Sequence, residues 1–131
     1  MIVYVFGNPD VSEDALPIRL VPLLRKACPS ITFEVKNPNE EWEVPERLVV
    51  IDTVVGIDHI HEFHGLDDFA RAPRVSMHDF DALTQLRLLQ KLGRIKKVSI
   101  IGVPPDIEEH QALEAVVALL EKVGIVKPNR S

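Results

Sequence analysis

The sequence has only one cysteine, Cys28, in 131 residues, and it has no excess of positive charge. A single cysteine excludes a disulfide framework and a thiolate metal cage within one chain. The 15 Lys and Arg against 20 Asp and Glu give a net charge of −5. This balance argues against nucleic acid or an anionic membrane surface as the main partner. Cys28 falls on a predicted helix, where a small buried residue is the simplest interpretation.

Long apolar runs are also missing from the sequence. No stretch approaches the ~20 apolar residues of a membrane span, because Asp52 interrupts the longest run. The first run, MIVYVF, is too short for a signal peptide and has no basic residues before it. There is no repeat and no linker. We therefore expect a single cytoplasmic domain over residues 1–131, with 46% hydrophobic residues to build its core.

Continuous apolar runs alternate along the chain with segments whose apolar residues recur at helical spacing, as in α/β proteins. Pro22 lies inside the first helical stripe and predicts a kink or a restart, whereas Gly93 marks the end of the second helix. The order β-α-β-β-β-α-β-α predicts a three-layer α/β/α domain with a mostly parallel five-stranded sheet in flavodoxin-like order. The predicted strands are 1–6, 31–35, 47–51, 57–63 (antiparallel) and 97–103, with a short extended piece at 74–77, and the predicted helices are 14–28, 79–92 and 107–123.

Acidic residues follow two of the predicted strands, at the edge where such sheets bind ligands. Glu13 and Asp14 come after the first strand, Asp52 ends the third, and His78 precedes the second helix. Either acid of the pair has a simpler interpretation as a first-turn residue that complements the helix dipole. Asp52 follows four buried apolar residues, where an acid is costly unless it is paired or used. Two carboxylates and an imidazole at one edge would form a divalent-metal site with open positions.

A second set of metal ligands is possible at His59, His61 and His64. On a strand His59 and His61 share a face, as zinc ligands sometimes do. A polar edge strand explains the three histidines more simply.

Four stretches together resemble the hydrogenase maturation endopeptidases over nearly the whole chain. They are GNPDVSEDALPIRLV, with its acidic pair before a helix; LVVIDTV, a strand that ends in an acid; SMHDFDAL, a Ser-x-His stretch that heads a Leu-rich helix; and VSIIGVPPDIEEHQALEAVVALLEKV, a strand, a Pro-rich corner and a closing helix. By this resemblance the family's metal-contacting acid falls on Asp14, its strand-end acid on Asp52 and its histidine on His78. Ser12 and Glu13 are then the cap and the helix-dipole partner.

The resemblance implies a nickel-dependent endopeptidase that removes the C-terminal extension of the large-subunit precursor of a nickel–iron hydrogenase. Nickel is then supplied by the precursor and is not a resident cofactor, although other divalent cations can occupy the same ligands. We expect the protein to act as a monomer. The chain departs from the family in the loop 36–46, which is short and lacks glycine, and at Pro17, where relatives commonly have glycine. These departures indicate a minimal or divergent subgroup.

Two other functions fit parts of the sequence. A non-catalytic relative would bind the maturing subunit or its metal with the same three residues. A phospho-acceptor receiver module has the same strand order, but it places its acidic pair directly after the first strand and needs a lysine where this chain has Pro104 and Pro105. No serine or cysteine nucleophile is evident, since Cys28 lies on a predicted helix and Ser76 has no assigned base.

Overall fold

The structure is a computed structural model that describes residues 2–8, 10–11, 14–36, 43–70 and 77–122, without the side chains of 70 and 77–82. Five strands and four helices alternate along these residues. They are β1 (Ile2–Val5), α1 (Leu16–Ala27), β2 (Thr32–Val35), β3 (Arg47–Thr53), β4 (His61–His64), α2 (Leu66–Ala70), α3 (Met77–Lys91), β5 (Lys97–Val103) and α4 (Glu109–Lys122). Among the described helices, none is long and apolar enough to cross a membrane.

The strands form one sheet in the order β2-β1-β3-β5-β4. β1 pairs in parallel with β2 and β3, and β3 pairs in parallel with β5. β4 is antiparallel to β5 and forms one outer edge of the sheet. The predicted α/β/α fold, with the first strand inside a mostly parallel sheet and one antiparallel strand, is confirmed.

Side chains alternate between the two faces of the sheet, because successive residues of a strand point in opposite directions. One face packs against α1 and α4, and its buried residues include Val5, Ile51, Ile101, Leu20 and Val116. The other face packs against α2 and α3, and its buried residues include Val50, Ile100, Phe63, Phe69 and Leu86. The domain therefore has three layers and a core on each side of the sheet.

The first helix differs from its prediction at three points. It begins at Leu16 with Ala15 as its N-cap, so Asp14 precedes the helix and no acidic residue lies in its first turn. Pro17 lies in the first turn, where its missing N–H costs nothing, but Pro22 lies inside a helix that continues to Ala27. The expected restart at Pro22 is therefore wrong. Cys28 lies directly after the helix as its C-cap and is fully buried.

Strand boundaries also differ from those predicted. β3 continues to Thr53, which places Asp52 inside the strand and not at its end. β4 begins only at His61, so residues 57–60 belong to a loop, and the short helix α2 was not predicted. Residues 74–76 of the expected extended piece lie outside the described residues, and Met77 belongs to α3. Gly93 has a φ of 77° and ends α3 as predicted, since only a residue that tolerates positive φ fits there.

Candidate functional site

Asp52 lies near the carboxyl end of β3, between β1 and β5. Its Cα partner on β5 is Gly102, and Phe6 extends the pairing of β1 with β3 through its amide, which donates to Ile51 O at 2.9 Å. Asp52 is only 2% exposed, and its Oδ1 accepts a hydrogen bond from the Thr53 amide at 2.9 Å. By strand alternation the carboxylate lies on the same face as Val50, toward α2 and α3. The acid is therefore built into the sheet.

Asp14 returns to the end of β1 through a closed loop. The Asn8 amide donates to Asp14 O at 3.0 Å, and the Asp14 amide donates to Val11 O at 2.9 Å. Inside the loop, the Asp10 amide donates to Asn8 Oδ1 at 2.9 Å, an Asx turn that fixes the first bend. Since Asn8 follows β1 by three residues, these bonds hold the Asp14 backbone at the carboxyl edge of the sheet, the edge near which Asp52 lies.

Gly7 makes this return possible. A Cβ at residue 7 would lie 2.8 Å from Asp14 O and 2.9 Å from Ile18 Cγ1, both closer than ordinary van der Waals contact. The glycine of the Gly-Asn pair is therefore needed for the close approach of the Asp14 backbone to β1, and the pair works as a positioning element for the acid.

His78 lies in the first turn of α3, and its side chain is outside the described part of the structure. Residues 12 and 13, the predicted cap and dipole partner, are also outside it. α3 ends at Lys91 and is followed by β5 at Lys97. A helix that leads directly into a parallel strand runs antiparallel to it, so the first turn of α3 faces the carboxyl edge of the sheet.

A groove of about 730 Å³ opens beyond the carboxyl ends of β3 and β5. Its apolar residues include Val55, Ile57 and Pro104, and its acidic residues are Asp58, Asp106 and Glu108. Asp52 precedes the groove by three residues and is not one of its lining residues. The sequence did not point to this groove, although Gly56 with a φ of 98° and the Pro104-Pro105 pair are turn signals on its two sides.

Glu108 shapes one wall of the groove because it is the N-cap of α4. Its Oε1 accepts from the His110 amide at 3.0 Å and its Oε2 accepts from the Gln111 amide at 2.9 Å. These two hydrogen bonds hold the pKa of Glu108 below its usual value, with the His110 amide as the larger cause. The carboxylate is therefore ionised and committed to the helix terminus at neutral pH.

The three histidines near β4 divide between two places. The rings of His59 and His61 have centroids 5.9 Å apart. His64 instead lies with Glu62 on the face of β4 opposite to His61, and its Nδ1 is 3.5 Å from Oε2 of Glu62. The hydrogen bond from His59 to Asp58 lowers the pKa of that carboxyl.

Among the described side chains, no three of His, Cys, Asp and Glu converge as metal ligands. The alternative set of His59, His61 and His64 is therefore wrong as a three-ligand site. The set of Asp14, Asp52 and His78 stays a prediction, because the His78 side chain lies outside the described residues.

Comparisons with known proteins agree on the fold. No protein-family model and no curated protein matches the sequence. Among solved structures, the chain is similar to the hydrogenase maturating endopeptidase HybD from Escherichia coli, with a TM-score of 0.62, 20% identity and coverage of 94% of this chain and 93% of that one. An endopeptidase from Escherichia coli solved in solution gives a TM-score of 0.67, 20% identity and coverage of 96% of both chains. An uncharacterized protein from Wolinella succinogenes gives 0.59, 18% identity and coverage of 95% and 96%. Over nearly its whole length, the chain therefore has the fold of the hydrogenase maturating endopeptidase HybD.

Proposed function

We propose that this protein is an endopeptidase that removes the C-terminal extension of the large-subunit precursor of a nickel–iron hydrogenase. The observation that carries the proposal is the presence of Asp14 and Asp52 at the carboxyl edge of a sheet with the fold of HybD. The carboxyl edge of an open α/β sheet is where ligands bind. The proposal includes a cytoplasmic location and a protease that acts as a monomer.

The proposed metal contacts are Asp14, Asp52 and His78, and the metal is part of the substrate. Nickel arrives in the precursor's own active site, and carboxylate and imidazole groups are suitable ligands for it. With no thiolate in the set, contact with the cation is brief, and other divalent cations can occupy the same ligands. This chemistry suits a protease that must recognise a loaded precursor and then release it.

The burial of Asp52 supports a role for its carboxylate in binding the cation of the substrate. An ionised carboxylate at 2% exposure is costly unless hydrogen bonds or a cation compensate it. The Thr53 amide supplies one such hydrogen bond. An approaching cation would add a further favourable interaction, which gives the site a preference for a metal-loaded partner.

Hydrolysis requires that a water add to the scissile carbonyl carbon and that the peptide nitrogen leave with a proton. The substrate's cation can polarise that carbonyl or lower the pKa of the attacking water. Alternatively, it positions the tail while Asp14 or Asp52 accepts the proton as general base. The groove of about 730 Å³ beyond β3 and β5 is the proposed binding surface for the extended tail.

The test is incubation of the full chain with a nickel-loaded precursor, with loss of the tail followed by mass spectrometry. Asp14→Asn, Asp52→Asn and His78→Ala should each reduce the cleavage rate by about 100-fold or more. Asp67→Asn is the matched control, since Asp67 is exposed and pairs with Arg87 at 3.1 Å on the surface. Asp67 lies on α2, which begins directly after the end of β4. That end of β4 pairs with Ser99, near the edge of the sheet opposite to the proposed site.

Full cleavage by all three variants would refute the proposed site. Equal cleavage of a nickel-free precursor would refute the role of nickel and leave the peptidase activity. Binding of the precursor without loss of its tail would instead support the non-catalytic relative.

A further inference from the structure

Two exposed imidazoles lie next to each other where the chain enters β4. The ring centroids of His59 and His61 are 5.9 Å apart, and the planes are nearly perpendicular at 89°. The His59 side chain is 70% exposed. We propose that His59 and His61 form a separate binding site for a divalent transition-metal ion of the Ni²⁺, Cu²⁺ or Zn²⁺ type. This site goes beyond the peptidase function and does not depend on it.

The two rings are close enough to share a cation after a small movement of one of them. A metal–nitrogen bond of about 2 Å plus roughly 1 Å from the nitrogen to the ring centre places two such rings about 5 Å apart at a tetrahedral ion, and ~6 Å apart when the nitrogens lie on opposite sides of the ion. The observed 5.9 Å is near the upper value, so the rings must approach by about 1 Å to share a tetrahedral ion. Since His59 is mostly exposed, a small rotation of its ring is free to improve the angle at the metal.

Asp58 determines which nitrogen of His59 can bind the ion. Its Oδ1 lies 2.6 Å from Nδ1 of His59. An ionised carboxylate can only accept a hydrogen bond, so Nδ1 carries the proton and Nε2 has a free lone pair. A carboxylate that accepts a hydrogen bond from the far nitrogen of a metal-binding histidine determines the tautomer of that ring. His59 therefore has the tautomer of a metal ligand, with Nε2 available to the ion.

His61 is held by packing from its other side. Its ring contacts Phe63 edge to face, with centroids 4.7 Å apart at 76°. Phe63 is buried and packs in turn against Phe69 at 5.5 Å. The backbone of His61 pairs with Gly102 across the antiparallel ladder. Both ligands are thus supported, one by a carboxylate and the other by the core.

The site offers two protein ligands and leaves the other positions to water or a partner. His64 does not contribute, because its ring lies beside Glu62 on the other face of β4. Two imidazoles favour Cu²⁺, Ni²⁺ and Zn²⁺ over Mg²⁺ and Ca²⁺, which prefer oxygen ligands. We therefore expect the site to bind Cu²⁺, Ni²⁺ and Zn²⁺ specifically and with moderate affinity.

The experiment titrates Zn²⁺ and then Ni²⁺ into full-length protein that carries His78→Ala, which removes the imidazole of the proposed catalytic set. Affinity is measured by calorimetry, and the bound ring is identified from histidine side-chain resonances by NMR. His59→Ala and His61→Ala should each weaken Zn²⁺ binding by at least about tenfold, and Asp58→Asn by about tenfold. His64→Ala and His110→Ala are the matched controls and should leave the affinity unchanged.

Unchanged Zn²⁺ affinity in His59→Ala or His61→Ala would overturn the site, as would an equal loss in His64→Ala. Unchanged affinity in Asp58→Asn alone would overturn the orienting role of that carboxylate. Because every protein in the series carries His78→Ala, failure here leaves the cleavage assay of the proposed function untouched. Failure of that assay likewise leaves this titration interpretable.

Discussion

The Asn8 amide donates a hydrogen bond to the carbonyl oxygen of Asp14 at 3.0 Å, and this bond closes the loop between β1 and α1. The loop brings an acid that is six residues later in the chain back to the end of the first strand. An acid separated from its strand by several residues can therefore still lie at the carboxyl edge of the sheet. The close contact of Gly7 with the Asp14 backbone gives this geometry a direct test.

Gly7→Ala should displace Asp14 and weaken the fold. The new Cβ would lie 2.8 Å from a main-chain oxygen, which cannot rotate away as a flexible side chain can. We expect the free energy of unfolding to fall by about 1–3 kcal/mol. Under the proposed function the cleavage rate should fall by at least about tenfold, because misplacement of a catalytic group by ~1 Å is costly. Urea unfolding and the precursor assay measure the two effects.

Gly93→Ala is the control for this change. Gly93 has a φ of 77° and no atom near the added Cβ, so the variant should lose about 1 kcal/mol of stability without loss of cleavage. Wild-type stability and cleavage in Gly7→Ala would show that the loop tolerates a different path.

Thr53→Val should stabilise the protein. The Thr53 hydroxyl is buried without a hydrogen-bond partner among the described residues, and the residue is 6% exposed. An unsatisfied buried hydroxyl costs about 1–3 kcal/mol, and valine has nearly the same shape and favours strands. An increase of about 1 kcal/mol in the free energy of unfolding is the expected result in urea denaturation. A loss of stability would mean that a water or a segment outside the described residues binds this hydroxyl.

Glu108→Gln should weaken the start of α4 in a pH-dependent way. Hydrogen bonds from the His110 and Gln111 amides lower the pKa of Glu108 in the folded state below its unfolded value of 4.5. The carboxylate therefore contributes stability that is fully present above pH 4.5 and is lost as the pH falls through the lower folded pKa. Thermal unfolding of the wild type and the variant should differ at pH 7 and converge in acid. A difference that stays constant with pH would contradict the capping role.

Cys28 should be chemically inert in the folded protein. Burial raises the pKa of its thiol, with a smaller contribution from the negative charge of Glu121. Since the thiolate is the reactive form, labelling by a thiol reagent at pH 8 should be slow until the chain is unfolded. Cys28→Ala should retain cleavage, because the Cys28 side chain is fully buried at the C-terminal end of α1. Rapid labelling of the native protein, or loss of cleavage in a folded Cys28→Ala variant, would contradict this assignment.

Much of the fold follows from local sequence patterns. The run KVSIIGV corresponds to β5 at both ends, because Pro104 and Pro105 cannot continue a central strand. The end of α3 follows equally well from Gly93. Pro22 was misleading because tertiary burial of Leu20, Val21 and Leu24 supports α1 on either side of it. β3 extends beyond its apolar run because Asp52 and Thr53 are paired with Gly102 and Val103 of β5, a long-range relation that local patterns do not contain.

The sequence predicted the edge of the sheet at which Asp14 and Asp52 lie, but not the detail of their positions. The position of Asp14 depends on hydrogen bonds within a loop whose path a sequence does not show. The sequence predicts a strand that includes both His59 and His61, whereas only His61 belongs to β4 and His59 contacts Asp58 in the preceding loop. The groove beyond β3 and β5 depends on the joint shape of two loops that are distant in sequence.

The two outermost strands, β2 and β4, are only four residues long. The Arg25 guanidinium also donates to the main-chain oxygen of Phe33 in β2 at 3.0 Å, which occupies one acceptor of that strand. An incoming polypeptide therefore finds only short rows of backbone N–H and C=O groups along either edge of the sheet, and the pairing of further chains with these edges is disfavoured. Under the proposed function, an extended precursor tail would therefore bind at the loops of the carboxyl edge and would not start a growing sheet.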